Sequence, residues 1–118
     1  MTGIIYYNEN REQAIKILEG IVERYKTMEI PIEYCSIGKS YYSIAPTAKF
    51  GNGDMWAVRR ACDSVRGYRC NVAYVDRSIP YEMYRSVILP AMIEYPFCAE
   101  HLWGEGDLHL DYTPCLPF

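Results

Sequence analysis

Apolar and polar positions along the chain change rhythm several times, and each change predicts an element. Thr2 to Tyr7 is almost wholly apolar and short, as a buried strand is. Asn8 or Asn10 then supplies a helix cap. From Arg11 to Met28 the period becomes helical: Ala14, Leu18, Ile21, Tyr25 and Met28 share one face, with Ile15 and Val22 beside them. Glu12, Lys16, Glu19, Glu23 and Lys26 take the opposite face. Such a helix covers one side of a sheet. Pro31 closes the helical region. Ile32 to Ile37 and Tyr41 to Ala45 read as strands around a Gly38-Lys39 hairpin turn, the second weakened to an edge strand by Pro46.

A second turn, Gly51-Asn52-Gly53-Asp54, opens the stretch around which the rest is arranged. A short strand with Met55, Ala57 and Val58 on its apolar side follows, then a polar loop carrying Arg59, Arg60, Asp63, Arg66 and Arg69. Cys70 to Val75 is nearly all apolar and ends on Asp76. Ser78 and Pro80 begin an amphipathic helix. An apolar strand that delivers a carboxylate just before a helix is how open α/β sheets build ligand sites. The segment from Glu94 to Phe118 is less regular, with Pro96, Gly104, Gly106, Pro114 and Pro117, and one alternating piece at Leu108 to Tyr112. It is expected to wrap the domain or reach a neighbouring subunit. The prediction is one compact α/β domain over residues 1–118, with a mixed sheet of about five strands and two main helices.

Composition narrows the function classes. A chain of 118 residues with 50% hydrophobic content has enough material for one packed core. A net charge of −3 argues against an extended nucleic-acid interface, while the arginines between Arg59 and Arg77 suit a small anionic ligand. Twelve tyrosines, against three phenylalanines, suggest wet clefts or subunit contacts, hence a homo-oligomer. Five cysteines, an odd number, and no secretory signal predict a cytoplasmic protein with free thiols. No apolar run reaches membrane-spanning length.

Arginine offers a planar fork of donors that matches phosphate oxygens in pairs. Arg59, Arg60, Arg66 and Arg69, with Trp56 or Tyr68 as an aromatic face, would make a nucleotide site: charge for phosphate, ring for base. Asn71 adds a donor and an acceptor for a base edge. The plainer alternative is a solvated loop, ion-paired to Asp54 and Asp63. Asp76 would either hold a metal or, more simply, cap the helix beyond it or pair with an arginine. Ile37-Gly38-Lys39-Ser40 lacks the upstream glycine and the following helix of a phosphate loop. Cys98 and His101 are spaced as an acceptable half of a zinc site, but His109 and Cys115 make a loose second half; free thiols and ordinary histidines are the plainer reading, and no metal or cofactor is predicted.

The central stretch also resembles the middle of a phage terminase large subunit, the packaging ATPase. The matching residues are Phe50, Asn52, Gly53, Arg66, Gly67, Tyr68, Arg69, Asp76, Ile79, Pro80, Glu82, Val87, Ile88 and Pro90, over roughly a third of the chain. Arg77 stands where that family has its catalytic glutamate, and no phosphate loop precedes it. The resemblance therefore implies an ATPase half without the catalytic apparatus. In size the chain also resembles the Thoeris anti-defence sponge proteins of phages. That likeness implies a non-catalytic protein sequestering a small nucleotide immune signal of the cyclic ADP-ribose type. The alternative is a degenerate terminase-like fragment that binds protein or DNA as an accessory. A metal-dependent hydrolase using Asp76 would need a second acid, for which Glu82 is the nearest choice.

Overall fold

The computed structural model describes residues 1–36, 46–62, 68–92 and 99–106. Six strands form one mixed sheet: β1 (Thr2–Tyr7), β2 (Ile32–Cys35), β3 (Thr47–Phe50), β4 (Met55–Arg60), β5 (Val72–Asp76) and β6 (Ala99–Trp103). Their spatial order is β2-β3-β4-β1-β5-β6. The four strands β4, β1, β5 and β6 run parallel, and β2 and β3 extend the sheet antiparallel. This is the expected α/β domain, with one strand more than the sequence suggested.

β1 is central because it is apolar on both faces: Ile4 and Tyr6 look one way, Ile5 the other, and all are buried. Parallel strands covered on both sides need such continuous runs. Helix α1 (Arg11–Thr27) lies on the Ile5 face. Asn10 caps it, its Oδ1 accepting from the Gln13 amide at 3.1 Å. Ala14, Leu18, Ile21, Val22 and Tyr25 pack on Phe50, Trp56 and Val58. Met28, expected on this face, is exposed, because the helix has already ended. A Schellman turn stops it before Pro31: Glu29 takes φ 60°, its amide donates to Lys26 O, and Ile30 donates to Tyr25 O.

The other face is covered by residues Tyr81–Ala91, where a short helix α2 (Tyr81–Met83) continues as a π-turn over Tyr84–Ile88 and a 3-10 turn over Leu89–Ala91. Tyr84, Val87 and Ile88 bury against Ile4, Tyr6, Ala73 and Val75.

Four points of the strand assignment need correction. Arg59 and Arg60 belong to β4, not to a loop, because they pair in register with Tyr6 and Tyr7 of β1. The partner of β2 is Thr47–Phe50, beyond Pro46, with Cys35 opposite Ala48. The proposed Gly38-Lys39 turn and Tyr41–Ala45 strand lie outside the described residues, as do Leu108–Tyr112. β6 was not anticipated. Cys70 precedes β5 and makes only an isolated bridge to Met92.

Candidate functional site

The chain leaves β1 toward α1 on one face and leaves β5 toward α2 on the other. β1 and β5 are adjacent and parallel. Outgoing connections that diverge in this way open a crevice at the carboxyl ends of the strands, where α/β sheets bind ligands. The residues at this end of the sheet are Asn8 to Glu12 after β1, Arg59 and Arg60 ending the neighbouring β4, and Asp76 ending β5 with Arg77 and Ser78 beyond it.

Asp76 is 3% exposed and fills the crevice floor. Its Oδ2 accepts from the Asn8 amide at 3.2 Å; its Oδ1 accepts from the Ser78 amide and hydroxyl, each at 2.9 Å. Asn8 Nδ2 in turn donates to Ser78 O at 3.1 Å. The turn after β6 closes on the same carboxylate. Gly104 has φ 76°, and a Cβ there would sit 3.0 Å from Asp76 Oδ1. Asp76 therefore neither caps α2, whose N-cap is Pro80 with no side-chain bond, nor relies on an arginine: its described partners are neutral donors. It ties together the ends of three parallel strands.

Beside this floor, Glu9, Asn10, Arg11 and Glu12 line an open hollow of about 600 Å³. Local pattern marks none of these residues as a site beyond the Asn10 cap, because their position depends on which strands flank β1. Only three residues, Asn8-Glu9-Asn10, separate the end of β1 from the start of α1, and none is glycine. That is too short and too side-chain-rich to cradle a polyphosphate with backbone amides.

The predicted ligand residues divide into separate groups. Arg59 is half-buried, and its guanidinium lies 5.4 Å from the centroid of the exposed Tyr68 ring, in cation–π geometry. Arg60 is exposed on the α1 side of the same strand end. Arg69 is exposed ahead of β5. Arg66 and Asp63 lie outside the described residues. Trp56 does not join the arginines. It is buried under α1, donates Nε1–H to the Tyr25 hydroxyl at 3.1 Å, and lies over Gly3, where a Cβ would meet its ring at 2.4 Å. Asn71 is also committed elsewhere. Its Oδ1 accepts from the Thr2 amide at 3.0 Å, at the amino end of the sheet. Five residues of strand put Asn71 about 16 Å from Asp76. Asp54 serves the α1 contact, accepting from Tyr25 at 2.7 Å and from Asn52 at 3.2 Å, and it pairs with no arginine among the described residues.

His101 is exposed on β6, its ring 4.8 Å from that of Tyr74. Cys98, His109 and Cys115 lie outside the described residues. Among the described residues no three metal-ligating side chains gather, and no helix is long and apolar enough to cross a membrane.

No family model matches the chain, and no curated protein or solved structure does. Its class is thus set by its own architecture: an open α/β sheet with a switch-point crevice.

Proposed function

We propose that this protein binds a small nucleotide signal of the cyclic ADP-ribose type and holds it without chemical turnover, so that a phage carrying it blunts a host defence. The observation that carries this reading is the Arg59–Tyr68 pair. A guanidinium and an exposed aromatic face stand together, offering charge for a phosphate and a ring for a base. Sequestration needs tight binding and slow release only. The short glycine-free loop after β1 and the engagement of both Asp76 oxygens by Asn8 and Ser78 favour binding over phosphoryl chemistry.

Titration calorimetry with a cyclic ADP-ribose isomer tests it. Wild type should bind, and an Arg59→Ala/Tyr68→Ala variant should bind at least about thirtyfold more weakly. Ligand recovered after denaturation should have unchanged mass. Equal affinity in the folded variant would place the site elsewhere, and recovery of a cleaved product would replace sequestration by hydrolysis.

A further inference from the structure

Tyr6 carries a polar group from which folding gains little. The side chain is 0% exposed, and its hydroxyl oxygen is buried without a hydrogen-bond partner of good geometry. Buried polar groups in this state are uncommon, and each calls for a reason. The strand register points to one. Tyr6 of β1 pairs with Arg59 of the neighbouring parallel strand β4. In-register residues of parallel strands leave the same face of the sheet, here the face covered by Tyr81–Ala91 rather than by α1. The polar groups that act on the hydroxyl agree with this: the Cys70 thiol, two residues beyond Tyr68, and the Arg59 guanidinium. Arg59 in turn lies over the Tyr68 ring. Its Nη1 donates to Val58 O at 3.1 Å, and it joins no ion pair among the described residues. A buried donor, an arginine without a carboxylate partner and an exposed ring thus form one cluster on one face of the sheet.

Resting on the nucleotide-binding reading above, we propose that Tyr6 is a further ligand-binding residue, its hydroxyl donating to a phosphate oxygen that Arg59 also holds. An anionic oxygen is the acceptor that strengthens such a bond most. Burial keeps the hydroxyl protonated, and so a donor, far above the ordinary tyrosine pKa. The gain comes from the state of the free protein. A donor exposed to water gives up its hydration when it binds, whereas this hydroxyl has already lost its hydration on folding. The bond to phosphate is then gained nearly whole, as it is for any preorganised group. It also forms away from water, where attraction between charge and dipole is least screened and release is slowed. The ligand reaches the hydroxyl past the side chains of Arg59 and Tyr68, neither of which is held by an ion pair among the described residues.

The experiment is calorimetry with a cyclic ADP-ribose isomer on wild type, Tyr6→Phe, Arg59→Ala and the Tyr6→Phe/Arg59→Ala double variant, with a urea melt of each. Tyr6→Phe should fold with a urea midpoint at or above that of wild type and bind at least about tenfold more weakly. Stability kept or raised while binding is lost marks a group retained for function. In the double variant the two losses should not add, because both side chains hold one oxygen. Three results overturn the role of Tyr6 while leaving binding by Arg59 and Tyr68 intact. They are unchanged affinity in folded Tyr6→Phe, fully additive losses, and a lowered urea midpoint, which marks a hydroxyl already bonded to Cys70. Absence of binding to wild type overturns the nucleotide reading itself, and the role of Tyr6 with it.

Discussion

Tyr6 shows how much one atom can cost. Its side chain is fully buried, and its hydroxyl makes no well-formed hydrogen bond. Burial, and secondarily the neighbouring Cys70 thiol, pushes its pKa far above the ordinary tyrosine value, with Arg59 opposing weakly. The ring is what the core uses; the hydroxyl is desolvated for little return. Tyr6→Phe should leave the fold intact and raise stability by about 1 kcal/mol, seen as a higher urea midpoint with unchanged slope. A loss of similar size would mean that the hydroxyl holds a bond to Cys70. Trp56 and Asn71 teach a related lesson at the same scale. Their chemistry is visible in the sequence, but their use is not. Gly3, more than fifty residues away, leaves the space that Trp56 fills, and Thr2 supplies the amide that occupies Asn71.

At the scale of elements, α1 is held at both ends by features of different kinds. Glu29 adopts the left-handed conformation without the freedom of glycine. Glu29→Gly should therefore stabilise the protein by about 0.5–1 kcal/mol, measured by thermal melting, despite the extra entropy of the unfolded chain. A clear loss of stability would show that the Schellman turn tolerates Glu29 without strain. Further along the helix face, Tyr25 joins α1 to the β3–β4 hairpin through Asp54. Burial acts to raise the Asp54 carboxyl, but hydrogen bonds from Tyr25, the N-terminal ammonium and Asn52 outweigh it and hold its pKa below the usual range. A carboxylate with a depressed folded pKa contributes stability above its unfolded pKa, and this is lost as pH falls through the folded value. Tyr25 is shifted upward, chiefly by burial and next by its bond to Asp54. Its contribution is complete below the unfolded tyrosine pKa and is lost only as pH rises through the folded one. Between those limits the pair is intact. Acid unfolding followed by circular dichroism should therefore show Asp54→Asn less stable than wild type at neutral pH, the difference shrinking from about pH 5 to pH 2. A constant difference across that range would remove the charge from the argument.

The same elements explain what local pattern could and could not reveal. β1 and α1 were legible because each carries its own period over enough residues to identify it. The end of β4 was not. Arg59 and Arg60 look like loop residues until β1 is placed beside them, and pairing with Tyr6 and Tyr7 overrides their polarity. β6 reads Ala-Glu-His-Leu-Trp, with no alternation, and it is a strand because β5 offers it a partner along its whole length. Asp76 was legible as a strand end facing a helix, but the donors that surround it come from the ends of β1 and β5.

At the scale of the whole molecule, Asp76 is the residue at which the proposed binding role and a catalytic role predict different outcomes. The parallel part of the sheet converges on it. β1 reaches it through the Asn8 amide, β5 carries it, and β6 returns to it at Gly104. Gly106 then packs against the Arg77 backbone so closely that a Cβ would lie 2.3 Å from Arg77 O. Three neutral donors from the chain itself satisfy this buried carboxylate's oxygens. Asp76→Ala leaves the Asn8 and Ser78 amides without their acceptor and should cost about 2–4 kcal/mol. Asp76→Asn keeps the shape and one acceptor oxygen, but its amide faces the Ser78 donors or the Asn8 amide, so it should recover only part of that loss. These are stability effects, to be read from denaturant melts. Phosphate release from ATP with magnesium should stay at background in wild type and in both variants alike, because the acid serves the sheet. Turnover above background in wild type that vanishes in a folded Asp76→Asn would assign the acid to catalysis. A stability unchanged in Asp76→Ala would show that the three strand ends hold together without it.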